Sequence, residues 1–138
     1  MNVKTICFSF AAGMLFAVAQ PAGAGVPDQL RRDFAQAVYS GSPELVHDRN
    51  PQPLLRAVVV LNMKLDESDH WQVEVVRTND QQPAMLARAL ETVRRAQPIQ
   101  VPDEHKSELK RNGFMEAWLF DNDGTFQVKT LAKAQRRQ

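Results

Sequence analysis

Leu54-Leu55-Arg56-Ala57-Val58-Val59-Val60-Leu61-Asn62-Met63-Lys64-Leu65, followed after a short gap by Trp71-Gln72-Val73-Glu74-Val75-Val76-Arg77-Thr78, is the stretch whose reading decides the fold. The first segment opens as a continuous apolar run and becomes alternating, with Leu61, Met63 and Leu65 set against Asn62 and Lys64. A run that is apolar on both faces suits a central strand. The second segment alternates Trp71, Val73 and Val75 against Gln72, Glu74 and Val76, as a half-buried strand does. Glu67-Ser68-Asp69-His70 between them is turn chemistry, so the pair reads as a β-hairpin.

Outward from the hairpin, Asn79-Asp80-Gln81-Gln82-Pro83 breaks the strand and opens a helix over residues 83–96, with proline tolerated in its first turn. Leu86, Ala89, Leu90 and Val93 are the expected core stripe, and Arg88, Glu91, Arg94 and Arg95 the outer face. Pro98 and Pro102 hold the next segment extended; residues 103–111 make at most a short polar helix, closed by Asn112-Gly113. A last hairpin follows: a strand over 114–120, a turn at Asp121-Asn122-Asp123-Gly124, and a strand over 125–131. Before the first hairpin, residues 27–40 carry Leu30, Phe34, Ala37 and Val38 at helical spacing, stopped by Gly41-Ser42-Pro43. Residues 48–53, with Pro51 and Pro53, read as an extended polar linker. The expected fold is α+β: an antiparallel sheet of three to four strands with helices on one face, a β-β-α-β-β core preceded by a helix.

The hairpin just described, followed by Pro83-Ala84-Met85-Leu86-Ala87-Arg88-Ala89-Leu90-Glu91-Thr92-Val93-Arg94-Arg95-Ala96, resembles the C-terminal domain of the TonB and TolA energy-transducing proteins. Those domains run strand, polar turn, strand, then a helix with an Ala-Leu-Glu-x-Val-Arg-Arg type of sequence, a proline-containing crossover and a final strand. Here Gln97-Pro98-Ile99-Gln100-Val101-Pro102 and residues 114–120 fill the last two places. The resemblance covers residues 54–131. It departs from the family at the hairpin turn, where Glu67-Ser68-Asp69-His70 replaces the usual Asp-Gly, and at Leu86, where the family often has Asp. The cysteine pair of some TolA-type domains is absent, and so is a long spacer between an anchor and the domain. The resemblance therefore implies a stand-alone relative rather than a full energy transducer, with partners among envelope proteins, including outer-membrane or Tol/Ton components.

The N-terminus has the order of a secretory signal. Lys4 gives a positive start, residues 6–19 are almost continuously apolar, and Ala22-Gly23-Ala24 offers a small-x-small site with cleavage before Gly25. Ala17-Val18-Ala19 is a second site, which would cut before Gln20. The apolar run falls short of the roughly 20 residues that span a bilayer, so no stable membrane insertion is expected after cleavage; an uncleaved anchor is the competing reading. The expected division is a signal peptide over 1–24, an N-terminal helix and linker over 25–53, and the TonB/TolA-like domain over 54–138, with a periplasmic location. The single cysteine, Cys7, lies in the signal, which leaves no disulfide, thiol nucleophile or thiolate metal site. Without Lys4 the basic and acidic residues balance, which argues against nucleic acid as a partner. Lys133, Arg136 and Arg137 read as a solvated basic tail.

No motif for catalysis stands out. His47, His70 and His105 read as solvated loop histidines, because none shares a metal-ligand spacing with another histidine or a carboxylate. The acidic clusters at Asp66, Glu67, Asp69 and at Asp121, Asn122, Asp123 lie where hairpins need turn residues, and no distal Glu completes a calcium loop. Ser68 and Ser107 have no nucleophile-elbow setting, and no glycine-rich loop cradles a phosphate. No catalytic residue, cofactor or metal is assigned. The expected role is a non-catalytic interaction module. With the first strand central, residues 125–131 fall at an outer edge, and Phe126, Gln127, Val128, Lys129 and Thr130 are the candidate partner-binding residues. Two such edges would also pair into a homodimer. The alternative is a small exported enzyme or hydrolase inhibitor whose helix-on-sheet fold is convergent.

Overall fold

The computed structural model describes residues 25–133; the signal-peptide reading and the Arg136–Arg137 end of the basic tail lie outside them. In chain order come α1 (Asp28–Gly41), a 3₁₀ turn (Pro43–Leu45), β1 (Ala57–Leu65), β2 (Trp71–Arg77), α2 (Pro83–Arg95), α3 (Asp103–Arg111), β3 (Phe114–Phe120), β4 (Phe126–Val128) and a second 3₁₀ turn (Lys129–Leu131). The four strands form one antiparallel sheet in the order β2-β1-β3-β4, so the apolar strand is central and the fold is α+β as expected.

Burial along β1 alternates strictly: Ala57, Val59, Leu61, Met63 and Leu65 are inside, and the residues between them are half-exposed. Their partners on β3 are Phe120, Trp118, Glu116 and Phe114, which share that inner face. Onto it pack Leu30, Phe34 and Val38 of α1, Met85 and Ala89 of α2, and Leu109 of α3. Phe34, Trp71 and Phe114 meet one another edge-to-face or tilted, at 5.4–6.2 Å between ring centroids. Trp118 Nε1 donates to Thr92 Oγ1 (2.9 Å), whose hydroxyl donates to Ala89 O (2.7 Å), so the buried indole and the helix satisfy each other. Where α1 ends against α2, a Cβ at Gly41 would overlap the Arg95 carbonyl, and glycine lets the two helix ends meet.

Three expectations are corrected. On α2, Ala89 is buried and Leu86 and Val93 are half-buried against the core as expected, but Met85 and Thr92 complete the inward stripe and Leu90 is 37% exposed. Leu86-Leu90-Val93 and Met85-Ala89-Thr92 are neighbouring stripes at helical spacing, and packing against Trp118 selects the second. Arg88 is not on an inert outer face: its Nη1 donates to Gly124 O at 2.7 Å. The last strand has three residues rather than seven, because the chain coils into a 3₁₀ turn at Lys129. On the opposite edge, β2 pairs with β1 through a register shift, Val60 opposite Arg77 but Leu61 opposite Val75, so Val75 and Val76 form a bulge that twists that edge.

Truncation of Leu109, fully buried, is expected to cost about 2–5 kcal/mol. Leu90→Ala should cost under about 1 kcal/mol. Urea titration of both variants checks this; equal losses would mean that the α2 stripe is misplaced.

Candidate functional site

The expected binding residues Phe126, Gln127, Val128, Lys129 and Thr130 do not form an open edge. Residues 46–49 lie along β4 as a covering strap. Val46 bridges Phe126 in parallel, and the His47 backbone N–H donates to Phe126 O at 2.8 Å. Gln127 Nε2 donates to His47 O (3.0 Å) and to Arg49 O. The Val128 N–H is taken by the Tyr39 hydroxyl (3.1 Å), and Lys133 Nζ donates to Asp48 O (2.6 Å) rather than waving in solvent. Phe126, Gln127 and Val128 are buried; Lys129 is exposed, and Thr130 is tied to Glu116.

The strap is pinned by a polar cluster that sequence reading missed. His47 is not a solvated loop residue: its Nδ1 lies 3.0 Å from Thr125 Oγ1 and 3.3 Å from Asp121 Oδ2, and Asp121 is 1% exposed. Asp121 Oδ1 accepts the Gln52 N–H (3.1 Å). The Thr125 hydroxyl donates to Asp123 Oδ1 (2.6 Å), and that bond holds the Asp123 carboxyl below the usual range. Each carboxylate thus commits its Oδ1 to the β3–β4 turn or the strap, while Asp121 Oδ2 is buried with no hydrogen bond, 3.3 Å from His47 Nδ1.

Besides the outer edge of β2, the sheet leaves an open half-edge on β3. Asp121 N donates to Thr125 O (2.9 Å), so hydrogen-bonded pairs recur at every second residue and Leu119 faces β4. By the same alternation Ala117 and Met115 direct their N–H and C=O groups to that side, but β4 has ended at Val128, opposite Trp118. Side chains stand in for the missing strand. Arg31 Nη1 donates to Met115 O (3.2 Å) and its guanidinium lies 5.4 Å from the Phe114 ring centre. Glu116, only 3% exposed, accepts from Ala117 N (3.0 Å), from Thr130 N (3.3 Å) and from the Thr130 hydroxyl. A buried carboxylate needs such donors, and it draws the Lys129–Leu131 turn against β3. Beside this half-edge runs a groove of about 550 Å³ lined by Arg31, Val60, Met115, Glu116, Ala117, Lys129 and Thr130. Met115 is 56% exposed there. Neither Arg31 nor Lys129 pairs with a carboxylate of the described residues.

The other shifted titrations belong to scattered ion pairs. Arg94, with help from Arg95, holds Glu91 down to about 2 on the outer face of α2. Lys110 and then Lys106 hold Asp69 below the usual carboxylate range, tying the β1–β2 turn to α3 at 2.9 and 3.3 Å. Asp66 is lowered by the N–H groups of His70 and Ser68 inside its own turn. Burial raises Tyr39. No three histidine, cysteine or carboxylate side chains of the described residues come together as a metal site, and no helix among those residues is long and apolar enough to cross a membrane. Compared with family models, with curated proteins and with solved structures, the chain finds no match.

Two outcomes follow from this geometry. The Gln127 N–H faces β3, whereas that of Val128 faces Tyr39, so Gln127→Pro should break the second hairpin while Val128→Pro should cost only the hydroxyl bond, about 1 kcal/mol. Chemical denaturation ranks the two, and a milder Gln127→Pro would overturn the register. Asp69 contributes above its unfolded value of about 3.9 and loses that contribution as pH falls through its lower folded value. Its NMR titration midpoint should therefore lie below about 3.9, with the α3 contact intact at pH 5; a midpoint at or above that value contradicts the ion pair.

Proposed function

We propose that this chain is a non-catalytic periplasmic protein-interaction module, similar in build to the C-terminal domains of TonB and TolA, that captures extended segments of envelope proteins by strand addition. The observation that supports it is the half-edge of β3 at residues 114–117, left without a strand neighbour and flanked by an apolar groove. An added strand finds the Met115 N–H open on this side. The Arg31 guanidinium occupies the Met115 C=O and the Glu116 carboxylate the Ala117 N–H, and both are exchangeable for a peptide's own groups. Backbone pairing supplies affinity and the groove supplies selectivity: Met115 and Val60 receive an apolar side chain, and Arg31 with Lys129 favours an acidic one. The order hairpin, helix, crossover, strand beside β1 also agrees with the resemblance drawn from residues 54–131.

This moves the binding residues from Phe126–Thr130 to the preceding strand, since the chain's own residues 46–49 already cover β4. A photo-crosslinking residue placed at Met115 in the exported protein tests the reading. An envelope protein should be captured at Met115 and not at Gln72 on the opposite edge. Met115→Pro should fold, because that N–H makes no bond to β1, and should lose the capture. Capture equal at both positions, or undiminished in the proline variant, would refute strand addition at β3.

A further inference from the structure

At the other end of the sheet from this groove, three arginines gather without an acid to balance them. Arg56 precedes β1, Arg77 ends β2 and Arg88 projects from α2. None pairs with a carboxylate of the described residues; Arg56 Nε is bound to the Gln82 amide oxygen (2.9 Å) and Arg88 Nη1 to Gly124 O (2.7 Å). Two of them converge on one point. A Cβ built on Gly124 would overlap Arg88 Nη1 and would lie 3.8 Å from Arg56 Nη1. Gly124, at φ +82°, both makes the turn and leaves room for the guanidinium groups to approach each other. Like charges brought this close in the protein without a counter-charge repel, and an anion placed between them relieves that repulsion.

Space for such an anion lies on the Arg56 side of this point, in a groove that neither Arg88 nor Gly124 lines. Because β2 stops pairing with β1 at Val60, the chains diverge and open a polar groove of about 480 Å³, lined by Arg56, Arg77, Thr78, Asn79, Asp80 and Gln81 among others. Asp80 is its one acidic lining residue; Asp123, next to Gly124, has one oxygen occupied by Thr125. A carboxylate is saturated by a single guanidinium fork, whereas two forks and a third cation match the several oxygens and up to two charges of a phosphate group.

We infer that Arg56 and Arg88, converging over Gly124 with Arg77 across the groove, form a binding site for a phosphate-bearing anion. The source is either a soluble phosphate compound or a phospholipid headgroup. Inorganic phosphate is titrated into the folded protein at constant ionic strength, with amide and arginine Nε–H signals followed by NMR. The expected result is saturable movement centred on Gly124, Arg56 and Arg88, at least about tenfold weaker in Arg56→Gln and in Arg88→Gln. Arg32→Gln, which removes an equal charge from the exposed face of α1, should bind as the parent does. Circular dichroism establishes that each variant folds, and Arg56, being exposed, is the variant least exposed to that objection. Acetate at the same strength should leave the signals unmoved. Vesicles of phosphatidylglycerol, set against phosphatidylcholine, separate the sources: capture that depends on Arg56 assigns a headgroup, and phosphate binding without capture assigns a soluble ligand. Failure to saturate, an acetate response equal to that of phosphate, or an equal loss in Arg32→Gln overturns the site.

Discussion

The pairing of β1 with β3, with Leu61 opposite Glu116, is the constraint on which the remaining structure depends. Side chains alternate across a sheet, so a slip of one residue would expose Phe114, Trp118 and Phe120 and bury Met115 and Leu119 instead. The chosen register puts the three aromatic rings inside and carries Glu116 in with them. That carboxylate must be met by donors, and Thr130 supplies two of them by coiling the chain out of the β4 ladder. The brevity of β4 and the uncovered half of β3 are consequences of one charged residue on an otherwise apolar face.

The helices answer to the same face. Trp118 selects which stripe of α2 turns inward, through the hydrogen bond to Thr92 that a more apolar stripe could not offer. Phe34 completes the aromatic cluster from α1, and Leu109 closes the core from α3. Against this packing, exposed ion pairs such as Glu91 with Arg94 set local geometry and add little to stability. The polar residues that matter structurally are the buried ones among the described residues: Glu116, Asp121, Thr92, Gln127 and Ser42.

Much of this was legible in the residues themselves. Alternation at Leu61, Met63 and Leu65, and the turn chemistry at Glu67-Ser68-Asp69-His70 and Asp121-Asn122-Asp123-Gly124, are local properties, and both hairpins and the strand order follow from them. What escaped depends on contacts between distant segments. Two adjacent apolar stripes on α2 cannot be ranked by periodicity. The strap at residues 46–49 runs into the polar, proline-containing stretch 48–53 that reads by composition as a linker, yet its backbone groups complete β4. His47 is ordinary in sequence and becomes a pin only where Thr125 and Asp121 meet it. For Glu116 there was a signal: by strand parity it shares a face with Phe114, Trp118 and Phe120.

Amide hydrogen exchange along β3 tests the central claim most directly, because an unpaired edge and a paired ladder differ in protection within adjacent residues. The account predicts rapid exchange at Met115, whose N–H faces the open half-edge, beside slow exchange at Glu116 and Leu119, whose N–H groups face β1 and β4. Protection at Met115 equal to that at Leu119 would mean that the edge is covered, and would contradict the account.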